Sequence, residues 1–530
     1  REVLAQFRGN EIVIALVLFN WLCLGGLGTL LARVITRRPW KATIIKLGWL
    51  SLVLCGLSAL QLPAIRELRN LIFISGSSVG FYPTWLFSFL SIAPYCLLLG
   101  FLLPFSLFVI RAGISDYPGT RIYIIDNIGD ISGGALFSFV LVYLVTPLQA
   151  VFLANLPLLA AGYLLFPVSR RHRPAVVQAM VLVFVVLAAG IFWEKASLAP
   201  AAGKLAYYRE TRYGRIAVHR DGEQFTLFED GMPVFSSQNL SVAEETVHYP
   251  LSQLDRLEHV LLISAQGGIM AELEKYQIKS IDYVELDPEV TAVQLQFGMI
   301  KPISGLNVIH QDGRAYLAQT DKSYDAIIVN LPEPGTFQMN RFYTDRFFNL
   351  AQKRLSSKGV LGFSMQGFDN YLAEPQRQKL SSIYNTIQIY FKHILMLPGQ
   401  RVFFLCRNRP LTTDIPAALA HKAIPSAYIE GFYYGNLTRE RIERLNACMD
   451  PHTPINVDTS PHLMRLMFSQ WFAKFQTSPL VFFLVLSVLS AIYFYRIARE
   501  EFVIFSTGCT TMGSEILVIF AFQIYFGYIY

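Results

Sequence analysis

The order of apolar and polar positions divides the chain into three stretches. Apolar runs of roughly 20 residues, the length that spans a bilayer as a helix, recur at about 11–35, 44–63, 82–110, 122–147, 149–167 and 175–194, and two more follow at about 478–496 and 502–530. Between them, residues from about 200 to 477 switch to mixed strand and helix patterns. Short apolar runs bounded by turn residues read there as buried strands. These are Val260-Leu261-Leu262-Ile263 ahead of Gly267-Gly268, a run ending in Tyr283-Val284-Glu285-Leu286-Asp287-Pro288, and Asn307-Val308-Ile309 ahead of Asp312-Gly313-Arg314. Tyr324-Asp325-Ala326-Ile327-Ile328-Val329-Asn330 and Gly359-Val360-Leu361-Gly362-Phe363 complete the set. Strands alternating with helical stretches predict a doubly wound α/β sheet. The expected fold is a multi-pass α-helical membrane protein with an inserted α/β domain. Transmembrane helices occupy 1–199, a small β-rich region 200–255, a Rossmann-type α/β domain with a C-terminal extension 256–477, and further transmembrane helices 478–530.

Composition supports that division. The 530 residues are 53% hydrophobic and only 16% charged, with a mean hydropathy of +0.39, which is too apolar for an ordinary soluble protein. The net charge of +7 is modest and no basic cluster stands out, so nucleic acid is not an expected partner. The six cysteines are scattered, four of them (Cys23, Cys55, Cys96, Cys509) in apolar runs, with neither C-x-x-C nor C-x-x-C-H. No zinc ribbon or covalently attached haem is encoded, and no metal site is expected. None of the nine histidines falls within an apolar span, which also argues against a His-ligated intramembrane haem. Residue 1 is not Met and Tyr530 lies in an unfinished apolar run, so the natural chain is expected to extend in both directions.

Arg33, Arg37, Arg38 and Lys41 follow the first span, Arg111 and Arg121 the third, Arg170, Arg171 and Arg173 the fifth, and Arg496 and Arg499 lie between the last two. Under the positive-inside rule these loops face the cytoplasm. The expected location is the plasma (inner) membrane, with the soluble domain on the outer, periplasmic side. A disulfide between Cys406 and Cys448 would be permitted there. Asp126 and Asp130 share one face at the start of the fourth span and are expected to be solvated at the interface beside Arg121. Gly129, Gly133 and Gly134 in the same span suit close helix packing.

The candidate chemistry sits at the strand ends, because ligands of doubly wound sheets lie outside the carboxyl ends of the strands. Gly267 and Gly268 supply the turn that lets backbone approach a ligand. Glu285, with Asp287 beside it, is placed to take ribose hydroxyls, and Asp312 ahead of Gly313 to accept from an adenine amino group. Asn330 stands at the end of the fourth strand, where a catalytic group would face the substrate, and Glu333 follows in the same loop.

At these residues the chain resembles a known family. Glu210, Tyr213-Gly214, Asp230-Gly231, Glu244-Glu245, Val284-Glu285-Leu286-Asp287-Pro288 and Asp312-Gly313 carry the resemblance. So do Gln338-Met339-Asn340-Arg341-Phe342-Tyr343-Thr344, Gly359-Val360-Leu361 and Asn456-Val457-Asp458. Residues from about 206 to 410 resemble the spermidine synthases, aminopropyltransferases on the class I methyltransferase fold. The whole chain resembles their membrane-bound, fused relatives. The resemblance implies no covalently bound cofactor and decarboxylated S-adenosylmethionine as co-substrate, with Glu285 on its ribose and Asp312 on its adenine. An amine would attack the aminopropyl carbon and methylthioadenosine would leave.

Three departures mark this chain. The family's glycine run reads Ser264-Ala265-Gln266-Gly267-Gly268, its catalytic Asp-Ser-Ser-Asp-Pro reads Asn330-Leu331-Pro332-Glu333-Pro334, and its Tyr-His-Glu reads His248-Tyr249-Pro250. An amide has no carboxylate to accept a proton, so Asn330 is no general base, and Glu333 is the replacement within reach along the chain. His248 reads as structural, and Arg341-Phe342-Tyr343 as a loop anchor. Three functions follow as expectations: a membrane-anchored aminopropyltransferase-like enzyme, an inactive docking subunit of a membrane complex (a respiratory complex is one setting), or a transporter-like protein. The last needs polar groups along the spans, of which Asp126 and Asp130 are the main ones. The bilayer is the one definite partner, and a homo-oligomer is permitted.

Overall fold

The computed structural model describes residues 2–7, 11–36, 43–74, 77–166, 173–198, 203–237, 239–265, 267–368 and 371–526. Arg37, Arg38, Lys41, Arg170, Arg171, Gln266 and Tyr530, all used in the sequence reading, lie outside them. The chain divides into two compact units, Arg1–Val234 and Phe235–Ile529.

The first unit holds six long apolar helices: α1 (Glu11–Thr36), α2 (Ile44–Ile72), α3 (Phe81–Gly113), α4 (Gly119–Leu144), α5 (Pro147–Leu165) and α6 (Arg173–Trp193). With a later helix, Arg499–Phe526, they make seven among the described residues that are long and apolar enough to cross a membrane. Leu480–Arg496, expected as an eighth, is a shorter apolar helix of 17 residues. The close helix packing is not where the sequence placed it. A Cβ on Gly129, Gly133 or Gly134 would meet nothing within 4 Å, whereas one on Gly28 would lie 2.2 Å from the Leu97 carbonyl oxygen and one on Gly100 2.1 Å from that of Gly25. Helices α1 and α3 therefore touch backbone to backbone, and Thr29 Oγ1 donates to the Gly100 carbonyl at 3.0 Å.

Strands β1 (Lys204–Glu210), β2 (Arg215–Asp221) and β3 (Gln224–Glu229) pair antiparallel in a four-stranded sheet completed by β4 (Met232–Ser236). Within the first unit an ion network ties β1 and β2 to the helices. Arg66, wholly buried in α2, donates to Glu2 at 2.8 Å and to Glu194 and Ser197 at 2.7 Å each. Arg215 donates to the same Glu2 through two nitrogens and to Glu210 at 2.7 Å. Arg66 corrects the expectation that Asp126 and Asp130 are the main charges in the spans. Those two aspartates are exposed on α4, while Glu11 of α1 and Arg66 and Arg69 of α2 are buried, Arg66 with partners from separate chain segments.

The second unit is built on a seven-stranded sheet in the order β10-β11-β9-β8-β5-β6-β7. Its strands are β5 (His259–Ile263), β6 (Ser280–Glu285), β7 (Leu306–His310), β8 (Tyr324–Val329), β9 (Leu355–Gln366), β10 (His393–Leu397) and β11 (Arg401–Arg407). The pairs β5–β6, β6–β7, β5–β8 and β8–β9 are parallel, and β9–β11 and β10–β11 are antiparallel. Strands β5 and β8 are near-continuous apolar runs because helices cover both faces of a parallel sheet. On one face Ala243, Val247 and Leu251 of helix α7 (Leu240–Ser252) pack on Val260, Leu262, Ala326 and Ile328. On the other, Phe342, Phe347 and Phe348 pack on Leu261, Ile263, Ile327 and Phe363. The direction of winding reverses between β5 and β8. This switch point is where such sheets open a crevice for a ligand.

A candidate nucleoside site at the switch point

The carboxyl edge of the sheet presents Ser264 after β5, Glu285 at the end of β6, Asp312 after β7 and Asn330 after β8. Backbone bonds carry the sheet into this edge: Ser264 N donates to the Val284 carbonyl at 3.0 Å and Asn330 N to that of Ile263 at 2.9 Å. Ser264 adopts φ +59°, a left-handed turn that glycine takes without strain. Gly268 adopts φ +88° and precedes the short helix Ile269–Glu274. Gly267 is buried in the same turn. A Cβ on Gly313 would lie 2.6 Å from Ile263 Cγ2, so glycine there lets the helix Gly313–Gln319 approach the end of β5. Gly267, Gly268 and Gly313 thus shape the crevice with backbone alone.

Each predicted carboxylate is already engaged. Glu285 accepts from Ser264 Oγ at 3.0 Å, from the Tyr283 hydroxyl at 3.3 Å and from the Leu286 N–H at 2.8 Å. Burial raises its carboxyl above the ordinary range, against these bonds. Asp287 caps the helix Pro288–Gln296, accepting from the Glu289 N–H at 3.0 Å, as Asp before Pro at a helix start does. Asp312 caps Gly313–Gln319 through the Ala315 N–H at 2.8 Å, and its other oxygen accepts from Arg341. Both Asp312 oxygens already have donors, so an adenine amino group would have to share one of them or displace Arg341. Glu333, the expected replacement base, is engaged through one of its oxygens. It pairs with Lys379 at 2.7 Å, a lysine 2% exposed, and accepts from the Gln366 N–H at 2.8 Å. Withdrawing it would leave a buried ammonium unpaired.

Asn330 is the exception. It is 4% exposed, and neither its Nδ2 nor its Oδ1 has a hydrogen-bond partner among the described residues. A buried amide left unsatisfied costs roughly 1–3 kcal/mol, and such groups in native folds call for a partner.

The neighbouring polar residues are engaged in turn. Glu244 is structural: its oxygens accept from the N–H groups of Ala427, Tyr428 and Ile429 at 2.8–3.0 Å. His248 is buried between Glu272 at 2.7 Å and the Tyr276 hydroxyl at 2.8 Å. Arg341 anchors its loop to Asp312, and Arg314 closes on Asp458. Glu245 accepts from Tyr249 at 3.1 Å, and burial pushes its carboxyl up to about 7, against Tyr249 and Arg401, which pull it down. Two adjacent acids were legible, but not which one caps a helix and which faces the sheet edge.

The raised carboxyl of Glu245 has a signed consequence. A folded value above the unfolded one means stability that is present below about 4.5 and lost as pH rises through about 7. Glu245→Gln removes this titration. The melting temperature of the variant should gain on the parent between about pH 5 and about pH 8. A difference that stays constant over that range would assign the shift to another group.

The second unit has a spermidine synthase or methyltransferase-like α/β fold, and residues 239–409 match the model of the spermine/spermidine synthase domain. That part of the chain is therefore a spermine/spermidine synthase domain. The chain is 28% identical over 259 residues to the polyamine aminopropyltransferase of Oceanobacillus iheyensis, covering 46% of this chain and 51% of that protein. It is 26% identical over 277 residues to polyamine aminopropyltransferase 2 of Aquifex aeolicus, covering 50% and 55%. It thus spans about half the length of these curated relatives. Among solved structures it is similar to a spermidine synthase in complex with a transition-state analogue (TM-score 0.39, 16% identity, 47% of this chain and 90% of that one). It is also similar to the spermidine synthase of Thermotoga maritima (TM-score 0.38, 15% identity, 46% and 88%). Cys406 and Cys448 are both free, so no disulfide lends support to an outward-facing domain.

Proposed function

We propose that this protein is a membrane-anchored, spermidine synthase-like protein whose α/β unit binds an adenosyl ligand without transferring its aminopropyl group. The ligand class is decarboxylated S-adenosylmethionine or methylthioadenosine. The observation that carries this reading is the buried, unpartnered Asn330 amide at the end of β8, in the crevice shared with Ser264 and Glu285. In transfer, the amine nitrogen bonds to the aminopropyl carbon, the carbon–sulfur bond breaks, and the ammonium product sheds a proton. A carboxylate at Asn330 would take that proton; an amide does not. Glu333, held by Lys379, is not a substitute. Ribose hydroxyls would displace Ser264 from Glu285, and the ligand would supply the partner that Asn330 lacks.

A second reading, a docking subunit without a nucleoside, is favoured by the bond from Ser264 to Glu285, which satisfies the ribose-side acid internally. Calorimetry on the full chain in detergent micelles separates the two. Methylthioadenosine should bind with a micromolar dissociation constant, about −8 kcal/mol, and Glu285→Ala should weaken it at least tenfold. Putrescine with decarboxylated S-adenosylmethionine should yield no spermidine. Absence of binding at millimolar nucleoside would leave the docking reading, and spermidine formation would restore the enzyme.

A further inference from the structure

The sheet edge beyond Asn330 carries a charge opposite to the one an amine pocket needs. Arg401 opens β11 and lies opposite Gln366 at the end of β9. Side chains alternate between the two faces of a strand, and three packed residues fix which face is which. Ile328 packs against α7, so Asn330, two residues on, projects to that face. Gly362 lies under Pro250 of α7, so Gln366 does too. Phe403 packs on Tyr249 of α7, which sends Arg401 the same way. Glu245, one helical turn before Tyr249, lines this side of α7. Asn330, Arg401 and Glu245 therefore converge on the α7 face of the carboxyl edge.

The Arg401 guanidinium is largely withdrawn from solvent, and Tyr343, Glu245 and Glu333 are the ionisable groups close enough to act on it. Among the described residues, none of them is hydrogen-bonded to it. Glu333 is committed to Lys379 and Gln366, Glu245 to Tyr249, and the Tyr343 hydroxyl donates to the Pro332 carbonyl at 3.1 Å. The α7 face of this edge thus offers one fixed cation, one neutral amide and the Glu245 carboxyl, which Tyr249 already occupies and burial pushes up to about 7. A dicationic amine entering beside Asn330 would meet a like charge in a poorly solvated space, where screening is weak. A carboxylate would meet a planar fork of donors matched to its two oxygens.

We propose that the reacting side of this site receives a carboxylate-bearing ligand, anchored by Arg401, in place of a polyamine. The inference rests on the reading that the same crevice holds a nucleoside, whose neighbour this ligand would be.

Three four-carbon probes that differ only in their ends test it: succinate, 4-aminobutyrate and putrescine. Each is titrated by calorimetry into the full chain in detergent micelles, with and without saturating methylthioadenosine. Succinate and 4-aminobutyrate should bind with dissociation constants at or below about 1 mM, and putrescine should not. Arg401→Gln should weaken succinate at least tenfold, and Arg401→Lys should recover part of the loss. Putrescine binding more tightly than succinate overturns the proposal in the parent protein alone, whatever the folding of the variants. Equal succinate affinity in parent and Arg401→Gln overturns it as well. Succinate binding with no nucleoside binding keeps this inference and removes the nucleoside reading, nucleoside binding with no succinate binding does the reverse, and no binding of either removes both.

Discussion

Replacing Asn330 with leucine should stabilise the α/β unit by roughly 1–3 kcal/mol while abolishing methylthioadenosine binding. Both polar atoms of the Asn330 side chain are buried and without a partner, so the folded state carries a desolvation cost that no bond offsets. Leucine branches at the same carbon and has no polar atom to desolvate. A gain of that size raises the melting temperature by several degrees in a domain of this size. The ligand-facing amide is lost in the same step, so stability and binding move in opposite directions. This pattern separates a functional polar group from a structural one. Asn330→Asp provides the second control: it places a carboxylate on the face that Arg401 shares, and it should not show the leucine variant's gain in melting temperature. Melting curves and calorimetry on the three proteins check the pair of effects. A leucine variant that melts lower than the parent would mean that Asn330 has a partner the free protein already supplies.

Replacing Arg66 with alanine should cost about 3–5 kcal/mol, the largest single effect expected in the first unit. The reason is not the gross strength of its ion pairs. Removing the guanidinium leaves Glu194 and half of Glu2 buried without a counter-charge, and an uncompensated buried charge is what makes such truncations severe. Arg215 alone cannot repair this, since it is already shared between Glu2 and Glu210. The triple change Arg66→Met, Glu2→Gln and Glu194→Gln removes the charges together and should recover most of the loss. If it does not, the network acts through geometry rather than charge. The parent should also show acid sensitivity from this site. Burial pushes the Glu2 carboxyl up, but Arg215 and Arg66 together hold it well below the ordinary carboxylate range. Its stabilisation is therefore complete above about pH 4.5 and is lost progressively as pH falls below it. Thermal melts in detergent across that range, on the parent and Glu2→Gln, measure it.

The helices and strands were legible in the sequence because their signals are local. The first long helix, Glu11–Thr36, needs only length and apolarity, and Val260-Leu261-Leu262-Ile263 needs only a buried strand's composition. The capping signal is local too, although the sequence reading assigned Asp287 and Asp312 to a ligand: they start helices through bonds two or three residues away. The roles of the acids were not legible. Glu333 reads as a spare base until Lys379, 46 positions later, takes it, and Asp312 reads as a free acceptor until Arg341 does. The glycine spacing in α4 suggested a packed helix face, yet the contact falls at Gly28 and Gly100, because packing depends on which helix lies alongside.

The sequence by itself determined the element types, the spermidine synthase resemblance and the loss of the carboxylate at Asn330. All three are properties of residue identity and short-range pattern. Only the tertiary structure decided which charged groups are spent and which are free. Ion pairs such as Arg66 with Glu2 and Glu194, or Arg314 with Asp458, join residues 64 to 144 positions apart. Their worth depends on burial, which no local pattern sets. The same holds for Arg401: in the sequence it is one arginine among many, and it becomes a candidate anchor only because strand pairing brings it to the edge where Asn330 stands without a partner.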